Sequence, residues 1–313
     1  MNFSMFLLPT WISDLFSGHG FCRSLMKAGV SIWNRLLSFI YVLMGQDIGD
    51  FANGQPVKIM ESVNTIFVGV GTSLVVLFFL WGFFSDSVNI REDITLDKAL
   101  KVFIRLLVSN YFVIHSLDIL KIILNVGVHL NNKILSVNSG TFTKLDFAKF
   151  KFPKSSMSDR LVSWLLGGWI FLTILGFIFL VVMTVCALII VYVVYIRVIK
   201  LCIYMPFGAV SFSTMSSQSP EFHNMAIGYF KNFLAMVFEI CVISLAILIC
   251  NGVVSAGSDD LTNAIINAIV DGGDDMLVYY KTTIGNAIGC MLMASLTVGT
   301  VKGASELARK VFS

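Results

Sequence analysis

Charged residues are scarce in this sequence, and that scarcity limits what the protein can be. Asp, Glu, Lys and Arg together supply 13% of the 313 residues, whereas a soluble domain carries about 25%. Hydrophobic residues supply 57%, and the mean hydropathy is +0.84. So few polar side chains cannot cover a globular surface in water. The composition therefore excludes an ordinary soluble enzyme and predicts an integral membrane protein.

Patterns that mark catalytic and metal-binding sites are also missing from the sequence. The six cysteines include no CxxC pair, which argues against a zinc site and a disulfide framework. There is no GxxxxGK[ST] phosphate-binding loop and no HExxH, and the four histidines show no ligand-like spacing. We therefore predict a protein that is not an enzyme, with no catalytic residue, no cofactor and no metal site.

Long apolar runs, by contrast, recur along the chain. The core of a bilayer needs about 20 mostly apolar helical residues, and five segments meet or approach that length. Their apolar residues are continuous, whereas those of barrel strands alternate, so the spans are predicted to be helices. The five predicted spans are Ile66–Phe84, Val102–Val128, Leu161–Ile196, Phe233–Val254 and Ile284–Val301.

The residues outside these spans complete the predicted organisation. Residues 1–60 form an N-terminal region in which Val30–Met44 is predicted to be an amphipathic helix on the membrane surface, with Trp33 and Tyr41 at the interface. Residues 61–301 form the polytopic membrane domain, and residues 302–313 form a short basic tail. The predicted fold is therefore an all-α integral membrane protein with about five transmembrane helices and one interfacial helix.

Ionisable residues inside two of the predicted spans are candidates for function, because charge is costly in a bilayer. The second span holds Arg105, His115, Asp118 and Lys121. Asp118 and Lys121 are three residues apart and can neutralise each other on one helix face; alternatively, this helix lines a hydrophilic path. Glu239 has no local partner in the fourth span. It is expected either near the interface or paired with another helix.

The fifth span carries small residues at the spacing that lets helix backbones approach closely. The glycines in this pattern are Gly285, Gly289, Gly299 and Gly303. One interpretation is packing against other helices of the same chain. The other is self-association of several copies, which would make the protein a homo-oligomer.

The stretch Phe142–Lys154 interleaves phenylalanines with lysines between the second and third predicted spans. Such a segment suits the interface of an anionic membrane, and it also suits single-stranded DNA, whose bases stack on aromatic rings. Composition alone favours the membrane lipids. The residues predicted to contact lipid or DNA are Lys144, Phe147, Lys149, Phe150, Lys151, Phe152 and Lys154.

The distribution of basic residues gives a divided indication of orientation. Lys and Arg outside the spans divide 11 against 9 between the two sides. The acidic loop Ser255–Thr283 favours the outside and the basic tail favours the inside, whereas the basic loop Leu130–Arg160 opposes that arrangement. The prediction is an N-terminus outside and a C-terminus inside.

The run Val63–Val113 adds a resemblance to a known family. Its sequence is VNTIFVGVGTSLVVLFFLWGFFSDSVNIREDITLDKALKVFIRLLVSNYFV. In its GVGTSLVVLFFLWGF block, its short SDS-x3-RED loop and its KALKVFIRLL helix start, it closely resembles a segment of TrbL-like conjugal transfer proteins from Gram-positive integrative conjugative elements. The resemblance is specific over about fifty residues and elsewhere concerns only the number and order of spans.

The resemblance implies a structural channel subunit of a type IV secretion system in the cell membrane. Such subunits oligomerise and help to translocate a relaxase–DNA complex, while partner ATPases and a coupling protein supply the energy. The family implies no catalytic residue, and it places the loop between the second and third spans towards the substrate path. The alternative is a self-contained channel or transporter for a small solute. We expect such a transporter to show repeated halves and broken helices, and the sequence indicates neither.

Overall fold

The computed structural model describes residues 18–88, 96–137, 145, 168–217, 219–269 and 275–312. Every secondary-structure element in these ranges is helical, which confirms the all-α membrane fold. The α-helices are α1 Gly18–Gly45, α2 Gln55–Val88, α3 Leu96–Ile114, α4 Ser116–Ser136, α5 Gly168–Tyr204, α6 Gly208–Ser213, α7 Pro220–Ile269 and α8 Asp275–Phe312.

Among the described residues, five helical stretches are long and apolar enough to cross a membrane. They are Phe21–Gly45, Phe51–Phe84, Leu172–Ser216, Glu221–Cys250 and Thr283–Val311. Four of the five overlap predicted spans, because a continuous apolar run without proline both favours a helix and suits lipid. The chain is therefore a multi-pass membrane protein.

The first of these stretches differs from the prediction for the N-terminal region. Val30–Met44 was expected on the membrane surface, but α1 itself has the length and hydropathy of a span. Trp33 is 3% exposed, so its ring packs against protein rather than facing lipid headgroups. The reason is a buried stripe that includes Met26, Trp33 and Ile40, whose spacing of seven residues keeps it on one helix face.

The second predicted span is not one continuous helix. Its residues form α3 and α4, which meet at His115 with a bend of 64°. The backbone of His115 (φ −96°, ψ 16°) leaves the helical region, although its amide still bonds the carbonyl of Tyr111 at 3.0 Å. The expectation that the chain has no broken helix is therefore wrong. Since a sixth crossing would put both termini on one side, the orientation stays a prediction.

A compact turn joins α5 to α7. After Tyr204 the chain continues as a 3-10 turn containing Pro206, the short helix α6 and a second 3-10 turn that ends at Ser216. The hydroxyl of Tyr229 donates to the carbonyl of Tyr204 at 2.8 Å, and the two rings stack with centroids 4.6 Å apart. The hydroxyl of Tyr229 thus gives the carbonyl of Tyr204 a hydrogen-bond partner, which the last carbonyls of a helix lack within the helix itself.

The chain divides into two compact units. The first comprises Met1–Tyr41, Asn138–Tyr192 and Ala246–Lys302. In it, glycines bring α1 and α5 together: a Cβ on Gly29 would lie 3.1 Å from the ring of Phe179, and one on Gly176 would lie 3.2 Å from Cys22 Sγ.

The second unit comprises Val42–Val137, Val193–Leu245 and Gly303–Ser313. Here α2 packs against both α3 and α6. A Cβ on Gly71 would lie 2.9 Å from the backbone oxygen of Ala209 and 2.9 Å from Val113 Cγ1. The hydroxyl of Ser216 donates to the carbonyl of Val75 at 3.1 Å. This unit holds the intramembrane ionisable residues singled out from the sequence.

Candidate functional site

The ionisable residues around the α3–α4 bend find partners other than the predicted one. Lys121 Nζ lies 2.6 Å from Glu61 Oε1 of α2. Asp118 Oδ2 lies instead 3.4 Å from His115 Nδ1, one turn back. The predicted Asp118–Lys121 pair is therefore wrong, because α2 brings a carboxylate to the lysine that the sequence spacing cannot reveal. Arg105 Nη1 donates to the carbonyl of Ser217 at 3.3 Å.

Glu239 pairs with a residue of another helix, which was one of the two alternatives expected for it. Its carboxylate forms an ion pair with the guanidinium of Arg197 on α5. The two side chains are only 11% and 9% exposed. Arg197 escaped notice in the sequence because the third span was ended at Ile196, just before the charge, whereas the helix continues to Tyr204.

A second buried polar group lies between α4 and α7. Asn131 is fully buried; its amide nitrogen donates to the carbonyl of Met44 at 2.8 Å, and Ser244 donates to its side-chain oxygen. Both amide functions of the asparagine are thus satisfied, as a buried side chain requires. Nothing in the local sequence indicates this contact, because the three residues are far apart along the chain.

A small cavity of about 20 Å³ lies in the same unit. Its walls include Met44, Leu124, Val194, Arg197 and Val237. That volume holds roughly one water molecule. It is too small for a solute, so the cavity by itself is not a transport site.

The four glycines of the fifth predicted span fall into two groups in α8. Gly285 and Gly289 are buried, which agrees with packing inside the chain. A Cβ on Gly299 or Gly303 would meet nothing within 4 Å. The two pairs of glycines therefore lie in different environments. Of the four, only Gly299 and Gly303 leave room for a neighbouring copy.

We predict that leucine at Gly299 and Gly303 together weakens self-association and leaves the folded monomer intact. The new side chains would separate backbones that pack closely between copies but would strike nothing in their own chain. The measurement is oligomer size by native mass spectrometry in detergent. Gly228→Leu is the matched control, since Gly228 also faces open space. If the double variant forms an oligomer of the same size as the unaltered protein, Gly299 and Gly303 do not mediate self-association.

The predicted lipid-contacting or DNA-contacting loop lies outside the described residues, apart from Leu145. The side chain of Asn34 holds the backbone of Leu145 with two hydrogen bonds of 3.0 Å, one to its amide and one to its carbonyl. This contact fixes the chain to α1 within the first unit, one residue after Lys144.

The described residues contain no group of three His, Cys, Asp or Glu side chains that could hold a metal ion. Comparisons with protein-family models, curated proteins and solved structures find no match for this chain.

Proposed function

We propose that this protein is a structural channel subunit of a conjugative type IV secretion system in the cell membrane. The observation that carries the proposal is the resemblance of Val63–Val113 to TrbL-like proteins. Residues 63–88 belong to α2 and residues 96–113 to α3. In this proposal the protein has no enzymatic activity and acts with ATPases, a coupling protein and other copies of itself.

The exposure of α2 supports a part in a larger assembly. Only 17% of its most apolar window is buried, compared with 33–39% in the other four stretches. Trp81 and Phe84 are 64% and 63% exposed. A helix this open offers its surface both to lipid and to helices of neighbouring subunits, which associate in membranes by close side-chain packing.

Co-purification tests the class of function directly. The full-length protein, extracted gently from donor membranes, should bring with it a cytosolic ATPase and other conjugation proteins. Deletion of its gene should abolish DNA transfer while leaving growth unchanged. If purification yields the protein alone and deletion leaves transfer at its normal frequency, the proposal fails.

We predict that a photoreactive amino acid at Phe150 captures single-stranded DNA during transfer. Four lysines lie within the eleven residues 144–154, and cations that neutralise phosphates release counterions. Interleaved phenylalanines stack bases at about 1–3 kcal/mol each without reading sequence. The measurement is crosslinking in donor cells with active or inactivated partner ATPases.

Two comparisons control the crosslinking experiment. The same reagent at Trp81, which is exposed on α2, should capture lipid or protein but no DNA. DNA capture at Phe150 should also disappear when the ATPases are inactive. Capture of lipid alone at Phe150 in both states would show that the loop is a membrane anchor.

A self-contained channel or transporter for a small solute is the second candidate. The broken helix pair at His115 favours it, because transporters commonly build their sites from discontinuous helices. Reconstitution separates the two: a solute carrier should move its substrate in liposomes that contain no other protein, whereas an assembly subunit should not.

A further inference from the structure

Polar residues form a continuous line along α4. Asp118, Asn125, His129 and Asn132 are all exposed. Their separations of seven, four and three residues bring them back to nearly the same angle on a helix with 3.6 residues per turn. We call these four residues the polar line of α4.

The opposite face of α4 is packed against protein. Its buried residues include Leu117, Leu120, Leu124, Gly127 and Asn131. A helix lying on a membrane surface would turn this apolar face to lipid. Here the apolar face already has protein neighbours, so the polar line is the side that meets the surroundings of the unit.

The position of α4 alongside α7 places the polar line at the level of an apolar span. Gly127 contacts Val237, and its carbonyl accepts from Cys241 Sγ at 3.6 Å. Four residues on, Asn131 pairs with Ser244. All three α7 residues belong to the apolar run 233–254, which is expected inside the bilayer. Residues 127–131 of α4 therefore lie beside a stretch expected inside the bilayer, and Asn132 lies at the end of the α1 span, where its amide donates to the carbonyl of Gly45 at 3.4 Å.

The exposed residues of α4 are of two kinds. Ile122, Val126 and Leu130 are 64%, 57% and 40% exposed, as expected for residues against lipid. The polar line exposes a carboxylate, two amides and an imidazole instead. Such groups are not stable against hydrocarbon, because lipid offers no hydrogen bonds to replace those of water.

We propose that the polar line of α4 borders an aqueous path through the membrane domain. Exposed Ile122, Val126 and Leu130 lie progressively to one side of the line, so water meets a strip of the helix rather than its whole outer face. The line holds one aspartate besides its two amides and its imidazole, and such groups form hydrogen bonds with water. The proposal makes no assumption about the cargo and holds for either candidate function.

Cysteine reactivity tests this proposal. In a variant without the six native cysteines, single cysteines replace Asn125 and His129 and are exposed to a charged, membrane-impermeant methanethiosulfonate. A thiol reacts as its thiolate, which forms readily only in contact with water. We expect Asn125→Cys and His129→Cys to react about tenfold faster than Gly69→Cys, which sits at an exposed position of α2 with open space around it.

Position-dependent reactivity separates an aqueous path from general exposure. Leu130→Cys is the matched control on α4, since Leu130 is 40% exposed, follows His129 in the sequence and lies about 100° round the helix from it, away from the polar line. It should react as slowly as Gly69→Cys. Equal rates at positions 125, 129 and 130 would overturn the proposal.

Oxidative crosslinking tests whether the polar line is instead an interface between copies of the chain. If His129→Cys forms disulfide-linked dimers with copper phenanthroline and is protected from the charged reagent, the polar line is an interface between copies, and the proposal is wrong. Reactivity with the reagent, without dimers, supports it. Because neither measurement needs DNA transfer, failure here is distinct from failure of the proposed function.

Discussion

Glu239→Gln is expected to lower the free energy of unfolding by about 3–5 kcal/mol, because it leaves the Arg197 guanidinium buried without a counter-charge. The pair joins α5 to α7, and both side chains are about nine-tenths buried. Arg197→Gln should have a similar effect for the converse reason. The measurement is unfolding in mixed micelles by titration with sodium dodecyl sulfate, followed by circular dichroism.

Two comparisons identify the buried pair as the cause. Glu306→Gln breaks a pair with Lys310 that is about 70% exposed, and should change stability by about 0.5 kcal/mol or less. Replacing both buried partners, as Arg197→Met with Glu239→Leu, should cost less than either single change, because no charge then stays unpaired. Single variants as stable as the unaltered protein would show that water reaches the pair.

Gly71→Ala is expected to lower the free energy of unfolding by about 1–3 kcal/mol, the usual effect of forcing extra atoms into a packed contact. The new methyl group would lie 2.9 Å from the backbone oxygen of Ala209. A backbone atom cannot turn aside as a flexible side chain can, so α2 must move away from α6. The same unfolding titration measures the loss.

Gly69→Ala is the matched control on the same helix. A Cβ at Gly69 meets nothing within 4 Å, and alanine favours a helix interior over glycine by about 1 kcal/mol. The control should therefore be neutral or slightly stabilising. If both variants lose stability equally, the cost arises in α2 itself and the close contact with α6 is not its source.

The membrane-spanning helices were predictable from the sequence because length and hydropathy act locally. An apolar run such as Ile66–Phe84 must satisfy its backbone within itself, and a helix does so whatever lies beside it. The burial of Trp33 was not predictable. An amphipathic helix shows the same pattern whether its apolar face meets lipid or protein, and only the tertiary structure decides between them.

The candidate site was harder to predict because its contacts join distant parts of the chain. Arg197 was excluded from the third span for its charge, but Glu239, 42 residues later, makes that charge tolerable inside the protein. The break at His115 also has no sequence signal, since neither proline nor glycine lies near it. The residues that pair across helices could be predicted as a class, namely intramembrane ionisable groups, but not as pairs.

The turn between α5 and α7 has a consequence for how the protein enters the membrane. At the end of α5, the hydroxyl of Tyr229 on α7 donates to the carbonyl of Tyr204. The two apolar helices and their connection thus satisfy this carbonyl from within the same hairpin. We expect such a hairpin to enter the bilayer as two paired helices, with the turn between them already folded before the later helices are inserted.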